Sequence, residues 1–160
     1  MAQLNLWVGD VDGNVDKMVD AAIEARDTHK ADLVVFPELA VLGYPPDDLL
    51  LRRGLPQKVK DGLNRIRREV AGICVIVGYP EYTEQGIYNA ADVYMGDKRL
   101  AKYRKQKLPN YGVFDEERHF AQGDKTCVFE LAGLTVGLTI CEDIWEPGPT
   151  ADVAKAGASL

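Results

Sequence analysis

The stretch LTVGLTICEDIW, residues 134–145, carries the strongest local signal in the sequence. Its first part is rich in β-branched and apolar residues, which is typical of a buried strand. Cys141 stands at the end of this strand, and the polar pair Glu142 and Asp143 follows, so we expect a strand-to-turn junction that presents the cysteine to a cleft. Backbone N–H groups after such a turn can hold an oxyanion. Cys141 is therefore a candidate nucleophile, with an inert structural cysteine as the alternative.

Outward from this stretch, helical and strand patterns alternate along the chain. Residues 14–29 and 57–70 place apolar side chains on one helical face, and Asn14 is the expected cap of the first helix. Apolar runs at residues 2–8 and 31–38 predict strands. The remaining strands are expected at residues 74–82, 89–95, 99–106, 126–131 and 134–141, and a short final helix at residues 150–158. Two helices between strands, followed by a run of strands, predict an α/β sheet with helices packed outside it.

A cysteine nucleophile needs a base, and histidine is the usual one. The sequence offers only His29, at the polar end of the first predicted helix, and His119, in a polar stretch; both are expected to be structural. This scarcity of histidine disfavours a papain-like pair. Glu38, which directly follows the apolar run at residues 31–37, is the alternative base, unless it is merely a charged residue at a loop entrance.

The basic run KRLAKYRKQK, residues 98–107, is the third feature. A basic run usually forms a solvated face or a nucleic-acid patch. In strand alternation, however, Tyr103 and Lys105 share one face. One lysine could then point inward beside Tyr103 and act as a fixed cation for a developing negative charge.

Composition limits the classes of function. Over 160 residues, 19 basic and 25 acidic side chains give a net charge of −6, which argues against nucleic acid or an anionic membrane as a partner. Cys74 and Cys127 open apolar strands and are expected in the core, and no cysteine spacing indicates a disulfide framework or a metal site. Without a leader or a membrane segment, a soluble cytoplasmic protein is expected.

Three segments together resemble the nitrilase superfamily of carbon–nitrogen hydrolases. They are FPELAVLGYPPDDLL, YRKQKLPNYGVFDEERHF and GLTICEDIWEPGP, in the family's order. The resemblance implies an α-β-β-α sandwich and a catalytic triad of Glu38, Lys105 and Cys141. Glu38 would be the base, Cys141 the nucleophile, and Lys105 the cation that stabilises the oxyanion and favours the thiolate of Cys141.

Within these segments, three motifs are more specific than the general superfamily pattern: LGYPPDDLL, LPNYGVFDE and ICEDIW. They are similar to motifs of the glutaminase domain of the glutamine-dependent NAD synthetases. This resemblance implies hydrolysis of the L-glutamine side-chain amide through a cysteine thioester. Glu116 would help to orient the lysine and the substrate, Tyr111 and Phe114 would line the glutamine pocket, and Glu142 would contribute its backbone N–H. The ammonia would serve an ATP-dependent synthetase domain that converts deamido-NAD to NAD.

Several expectations accompany this resemblance. Residues 1–160 would be part of a single glutaminase domain, incomplete at the C-terminus and slightly at the N-terminus, with the synthetase domain absent. The chain itself would need no cofactor or metal, whereas ATP, Mg and deamido-NAD would belong to the synthetase domain. A homo-oligomer is expected. The alternatives are another amidase of the superfamily acting on a small amide, and a non-catalytic binding module on the same fold.

Overall fold

The computed structural model describes residues 1–160. Its helices and strands are α1 (Val11–Asp27), β1 (Leu33–Val35), α2 (Leu55–Glu69), β2 (Cys74–Thr83), β3 (Gly86–Met95), β4 (Lys98–Arg104), β5 (Val128–Leu131), β6 (Leu134–Gly137) and α3 (Pro149–Lys155). Short 3-10 turns lie at Asp47–Leu51, Glu116–Arg118 and Cys141–Ile144. None of the helices combines the length and the apolar composition that a membrane span needs.

Two separate sheets form from these strands. The larger has the order β1-β2-β3-β4; β1 pairs parallel with β2, and the two other pairings are antiparallel. The parallel step from β1 to β2 requires a crossover connection, which α2 supplies. Strands β5 and β6 form an antiparallel pair of their own.

The alternation of side chains along β2 defines two apolar layers. Val75 and Val77 belong to a large core with α1 and α2, whereas Cys74 and Ile76 belong to a smaller core that faces β5 and β6. Helix α3 packs against β6 on the side away from the larger sheet. The contact is close: a Cβ added at Gly137 would lie 2.8 Å from the Val153 Cβ. The four layers confirm the predicted α-β-β-α sandwich.

Two predictions about the first 30 residues are wrong. Residues 2–8 form no strand; the Ala2 N–H donates to the Val35 carbonyl at 3.0 Å, and Leu4 and Leu6 pack against the helix-side core. Their apolar pattern therefore reflects packing and not strand pairing. The first helix begins before Asn14 and is capped by Asp10, whose side chain accepts from the Gly13 N–H at 3.1 Å.

Asn14 has a different task, which explains the error. Its side chain is fully buried, accepts from the Trp7 N–H at 2.8 Å and donates to the Trp7 carbonyl at 2.8 Å. It also approaches the Val41 carbonyl at 3.4 Å. A polar residue near a helix start looks like a cap in sequence, but here it joins three segments in the interior.

The strands that lead to the candidate site are shorter than predicted. β4 ends at Arg104 and β6 ends at Gly137, so Lys105 and Cys141 both lie past the ends of their strands. Backbone hydrogen bonds continue briefly beyond each strand, from the Lys105 N–H to the Asn89 carbonyl at 2.8 Å and from the Leu138 N–H to the Cys127 carbonyl at 3.0 Å. Leu138 and Ile140 remain buried, so the apolar pattern extends beyond β6.

Candidate active site

Glu38 is carried by a tight loop at the end of β1. The Phe36 N–H still donates to the Ile76 carbonyl at 3.0 Å, after which the chain turns, and buried Leu39 adopts a left-handed φ of 52°. The loop crosses β2 at Gly78, where an added Cβ would lie 2.6 Å from the Leu39 nitrogen and 2.7 Å from the Pro37 carbonyl oxygen. The absence of a side chain at Gly78 therefore allows the loop to hold Glu38 in place.

Lys105 lies between two carboxylates. Its side chain is fully buried, and its Nζ lies 2.6 Å from Glu38 Oε1 and 3.0 and 2.9 Å from the two Glu116 oxygens. Burial by itself lowers the pKa of Lys105, but the Glu38 and Glu116 carboxylates outweigh burial and raise the pKa above its ordinary value. Lys105 is consequently a fixed cation at neutral pH, on the buried face that it shares with Tyr103, as the strand pattern predicted.

Glu116 is itself buried, at 5% exposure. Burial raises the pKa of its carboxyl group, and Lys105 opposes that effect. The Tyr44 hydroxyl donates to Glu116 Oε1 at 3.1 Å. The sequence reasoning did not identify Tyr44, although it belongs to the segment LGYPPDDLL that carried part of the family resemblance.

Asn89 was also missed, and it acts on Glu38. This residue of β3 is 1% exposed and donates to Glu38 Oε1 at 2.6 Å. Asn89 and Lys105 therefore both donate to the same oxygen, so Glu38 Oε2 is left for other chemistry. Asn89 is a polar residue at the start of the predicted strand 89–95, and this was the signal that could have indicated it.

Cys141 opens the turn that follows β6, and its φ of 47° lies in the left-handed region. Such a backbone costs about 1–3 kcal/mol and is characteristic of functional sites. Cys141 is exposed, whereas Cys74 and Cys127 are buried. As in any helical turn, its first N–H groups, those of Cys141 and Glu142, have no partner within the turn.

Opposing effects set the pKa of the Cys141 thiol. Partial desolvation of the sulfur and then the Glu38 carboxylate raise this pKa, and Lys105 lowers it. Lys105 thus acts in the direction that favours the thiolate, as expected, but the net effect raises the pKa, so the thiol form predominates at neutral pH. Attack by its sulfur requires a base to remove the proton.

The residues expected to bind substrate lie beside this cluster. The Tyr111 hydroxyl donates to both Glu142 oxygens, at 3.0 and 3.1 Å, and both residues line a cavity of about 610 Å³. Phe114 contacts the edge of the Tyr111 ring, with 5.7 Å between centroids, but does not line this cavity. Glu38, Lys105 and Cys141 lie outside its lining as well, so the cavity adjoins the cluster and does not contain it.

No group of three or more histidine, cysteine, aspartate or glutamate side chains is arranged to hold a metal ion. The arrangement instead offers a thiol, a carboxylate base, a buried cation and free backbone N–H groups. These are the parts that acyl transfer from an amide requires.

Comparison with known proteins gives consistent relationships. A family model described as carbon-nitrogen hydrolase matches residues 1–160. The chain is 45% identical over 163 residues to the glutamine-dependent NAD(+) synthetase of Xanthomonas campestris pv. campestris, covering 100% of this chain and 29% of that relative. It is 42% identical over 149 residues to the Thermotoga maritima enzyme of the same name, covering 92% of this chain and 26% of the relative. The chain thus spans less than a third of these relatives.

Solved structures agree with these sequence relationships. The glutamine-dependent NAD+ synthetase from Acinetobacter baumannii, in complex with ADP, superposes with a TM-score of 0.95 at 38% identity, over 99% of this chain and 30% of that one. A Glu-to-Gln mutant of the amidase from Nesterenkonia sp. AN1, which carries acrylamide added at its active-site cysteine, superposes with a TM-score of 0.85 at 25% identity, over 98% of this chain and 61% of that one.

Proposed function

The chain belongs to the carbon-nitrogen hydrolase family, and from that premise we propose that it hydrolyses the side-chain amide of L-glutamine and releases ammonia. One observation carries the proposal: a single buried lysine, Lys105, joins the carboxylates of Glu38 and Glu116, and both Glu38 and Lys105 act on the Cys141 thiol. Identities of 45% and 42% to proteins named glutamine-dependent NAD(+) synthetase support glutamine as the substrate.

The first half of the proposed reaction forms a thioester. Because Cys141 rests as a thiol, Glu38 takes its proton as the sulfur attacks the amide carbon. Oε2 is suited to this step because Oε1 is held by Asn89 and Lys105. A C–S bond forms, and the carbonyl π electrons move to oxygen. When the C–N bond breaks, protonated Glu38 returns the proton to nitrogen and ammonia leaves.

The second half hydrolyses the thioester. Glu38, again ionised, removes a proton from water, whose oxygen attacks the same carbon. The C–S bond breaks, glutamate is released, and the sulfur regains a proton. The protonated Lys105 and the Glu142 N–H stabilise the oxyanion in both halves, because fixed donors act strongly where water is excluded.

The proposal assigns the binding of glutamine to residues beside Glu38, Lys105 and Cys141. We place the substrate near Tyr111, Phe114, Glu116 and Glu142, where the Glu142 carboxylate would oppose the α-ammonium group. The Tyr111–Glu142 contact supports this assignment because it joins two of these residues at the cavity beside Cys141. A small aliphatic amide lacks the α-ammonium and would not need this carboxylate.

The ammonia is proposed to serve an ATP-dependent synthetase domain that converts deamido-NAD to NAD. The names of the relatives, and the ADP bound in the Acinetobacter baumannii structure, support ATP and deamido-NAD as substrates of that domain, and Mg is proposed with them. A cytoplasmic homo-oligomer belongs to the same proposal.

The test combines labelling with a panel of amides. Purified protein is treated with a glutamine-analogue electrophile, and modification of each cysteine is followed by peptide mass spectrometry. We expect Cys141 to react first, because Cys74 and Cys127 are buried and burial raises the pKa of Cys74 to about 11. Free glutamine should protect Cys141, whereas acetamide and propionamide should not.

Hydrolysis is measured on the same amides. We expect glutamine to be preferred and Cys141→Ala to abolish its hydrolysis. Preference for a small amide would favour the alternative, an amidase of the superfamily that acts on small amides. Labelling of Cys141 at no more than the rate of Cys74 and Cys127 would remove the nucleophile assignment and favour a binding module.

A further inference from the structure

Asp143 gathers four hydrogen bonds in the interior. It has no exposed surface, although it lies in the turn that begins with Cys141. Its Oδ1 accepts from the backbone N–H groups of Gln106 and Lys107 at 3.1 and 2.8 Å. Its Oδ2 accepts from the Tyr103 hydroxyl at 2.7 Å and from the Ile140 N–H at 2.9 Å.

Only a carboxylate satisfies this arrangement. An ionised carboxylate accepts hydrogen bonds at about four lone-pair positions and donates none. Asp143 forms no ion pair, so its charge is balanced by these donors alone. An asparagine would turn an NH₂ group toward at least one of the N–H donors, which leaves a buried polar group without a partner.

The four bonds connect two parts of the molecule. Three of them cross 36 to 40 residues to the segment that carries Lys105, and the fourth closes the local turn. Within that segment, the contacted residues lie on both sides of Lys105. The Lys105 backbone is separately fixed, because its N–H donates to the Asn89 carbonyl and its carbonyl accepts from the Gly123 N–H, each at 2.8 Å.

Separate parts of the fold hold Lys105 and Cys141. The larger sheet and the Gly123 loop hold Lys105, while the Cys141 turn follows β6 of the other sheet. Asp143 is the group that joins the turn to the lysine segment. We propose that Asp143 is a positioning residue that sets the Cys141 sulfur against Lys105 and Glu38, a role that rests on the proposed function for the reaction it serves.

The test compares Asp143→Asn with Asp152→Asn. Asp152 lies on α3 and makes a side-chain contact only with Lys155, so this control removes the same charge away from the site. Amide hydrolysis, the melting temperature and the pH dependence of Cys141 alkylation by iodoacetamide are measured for both. We expect kcat of Asp143→Asn to fall about 10–100-fold, the equivalent of one lost charge-assisted hydrogen bond, with KM within about twofold. Asp152→Asn should match the unaltered protein.

The response of alkylation to Glu38→Gln separates positioning from a direct effect of the Asp143 charge. The charged groups that act on the Cys141 thiol are Glu38, Lys105 and Glu116, and the Glu38 carboxylate is the one that raises its pKa most. If Asp143→Asn loosens the turn, the sulfur is no longer held against Glu38, and Glu38→Gln should then move the alkylation midpoint by less than it does with Asp143 in place. If Asp143 acts only through its own charge, Glu38→Gln moves the midpoint equally with and without Asp143, and that result would overturn the proposal.

A purely structural role gives a different result. A lower melting temperature with unchanged kcat and an undiminished effect of Glu38→Gln on the midpoint would make Asp143 merely structural. If Asp143→Asn does not fold, Tyr103→Phe removes one of the four donors, and we expect it to reduce the effect of Glu38→Gln on the midpoint by a smaller amount; an undiminished effect would overturn the proposal. The alkylation measurement needs no substrate, so it decides on Asp143 even if the protein hydrolyses no glutamine.

Discussion

Replacement of Gly78 by alanine should disable the site without touching a charged group. Gly78 lies in the middle of β2, beneath the loop that carries Glu38. The methyl group of an alanine would lie 2.6 Å from the Leu39 nitrogen and 2.7 Å from the Pro37 carbonyl oxygen. Both are backbone atoms, which cannot rotate away as the end of a side chain can, so the loop itself must move.

The size of the movement follows from these distances. The closest gap must open from 2.6 Å to the 3.4 Å of ordinary contact, a displacement of about 0.8 Å. Glu38 stands between the two displaced residues, and its carboxylate now lies 2.6 Å from both Lys105 and Asn89. A misplacement of about 1 Å can cost about 100-fold in rate. Overpacking adds a stability cost of roughly 1–3 kcal/mol.

Gly78→Ala should therefore lower kcat for amide hydrolysis by about 100-fold while the protein remains folded. Gly96→Ala is the control, because Gly96 lies in the β3–β4 turn with φ of 57° and an added Cβ there meets nothing within 4 Å. Alanine at Gly96 costs about 1–2 kcal/mol of backbone strain far from the site. Thermal unfolding and steady-state kinetics are measured for both variants. Gly78→Ala with kcat within threefold of the unaltered protein would refute the steric argument.

Two further substitutions test the charge arrangement. Glu38→Gln should lower hydrolysis by about 10²–10⁴-fold, because it removes the proton acceptor. It should also shift the pH midpoint of Cys141 alkylation to lower pH, since the Glu38 carboxylate raises the thiol pKa and Lys105 lowers it; an upward shift would contradict this account. Asn89→Ala should lower kcat about 10–100-fold through loss of one hydrogen bond to the Glu38 carboxylate, at a KM close to that of the unaltered protein. An Asn89→Ala variant with normal kcat would show that Lys105 alone holds Glu38 in place.

The chemical groups of the site could be read from the sequence because each follows a strong local pattern. Cys141 follows an apolar strand and precedes two acids, and Glu38 follows another apolar run. Strand alternation placed Lys105 inward beside Tyr103, and both side chains are 1% exposed. Three family segments in order then predicted the four-layer sandwich that the fold shows.

The errors share a cause. Residues 2–8 and 138–141 lie outside the strands, but Ala2, Leu4 and Leu6 pack against the core, and Leu138 and Ile140 are buried. Apolar residues that pack in this way give the same sequence pattern as a strand. Asn14 has the residue type of a helix cap, but its partners Trp7 and Val41 lie in other segments. Local sequence cannot state which distant backbone groups a polar side chain will meet.

By itself, then, the sequence determined which residues are the candidate nucleophile, base and cation and which type of fold carries them. Only the tertiary structure decided how they act on one another. Glu38 and Lys105 are 67 residues apart in the chain and meet at 2.6 Å. The raised pKa of Cys141 and the four hydrogen bonds to Asp143 depend on such contacts between residues that are distant in the chain. The physical reason is that pKa values and hydrogen bonds are set by the atoms within a few ångströms, and long-range packing of the sheets supplies those atoms.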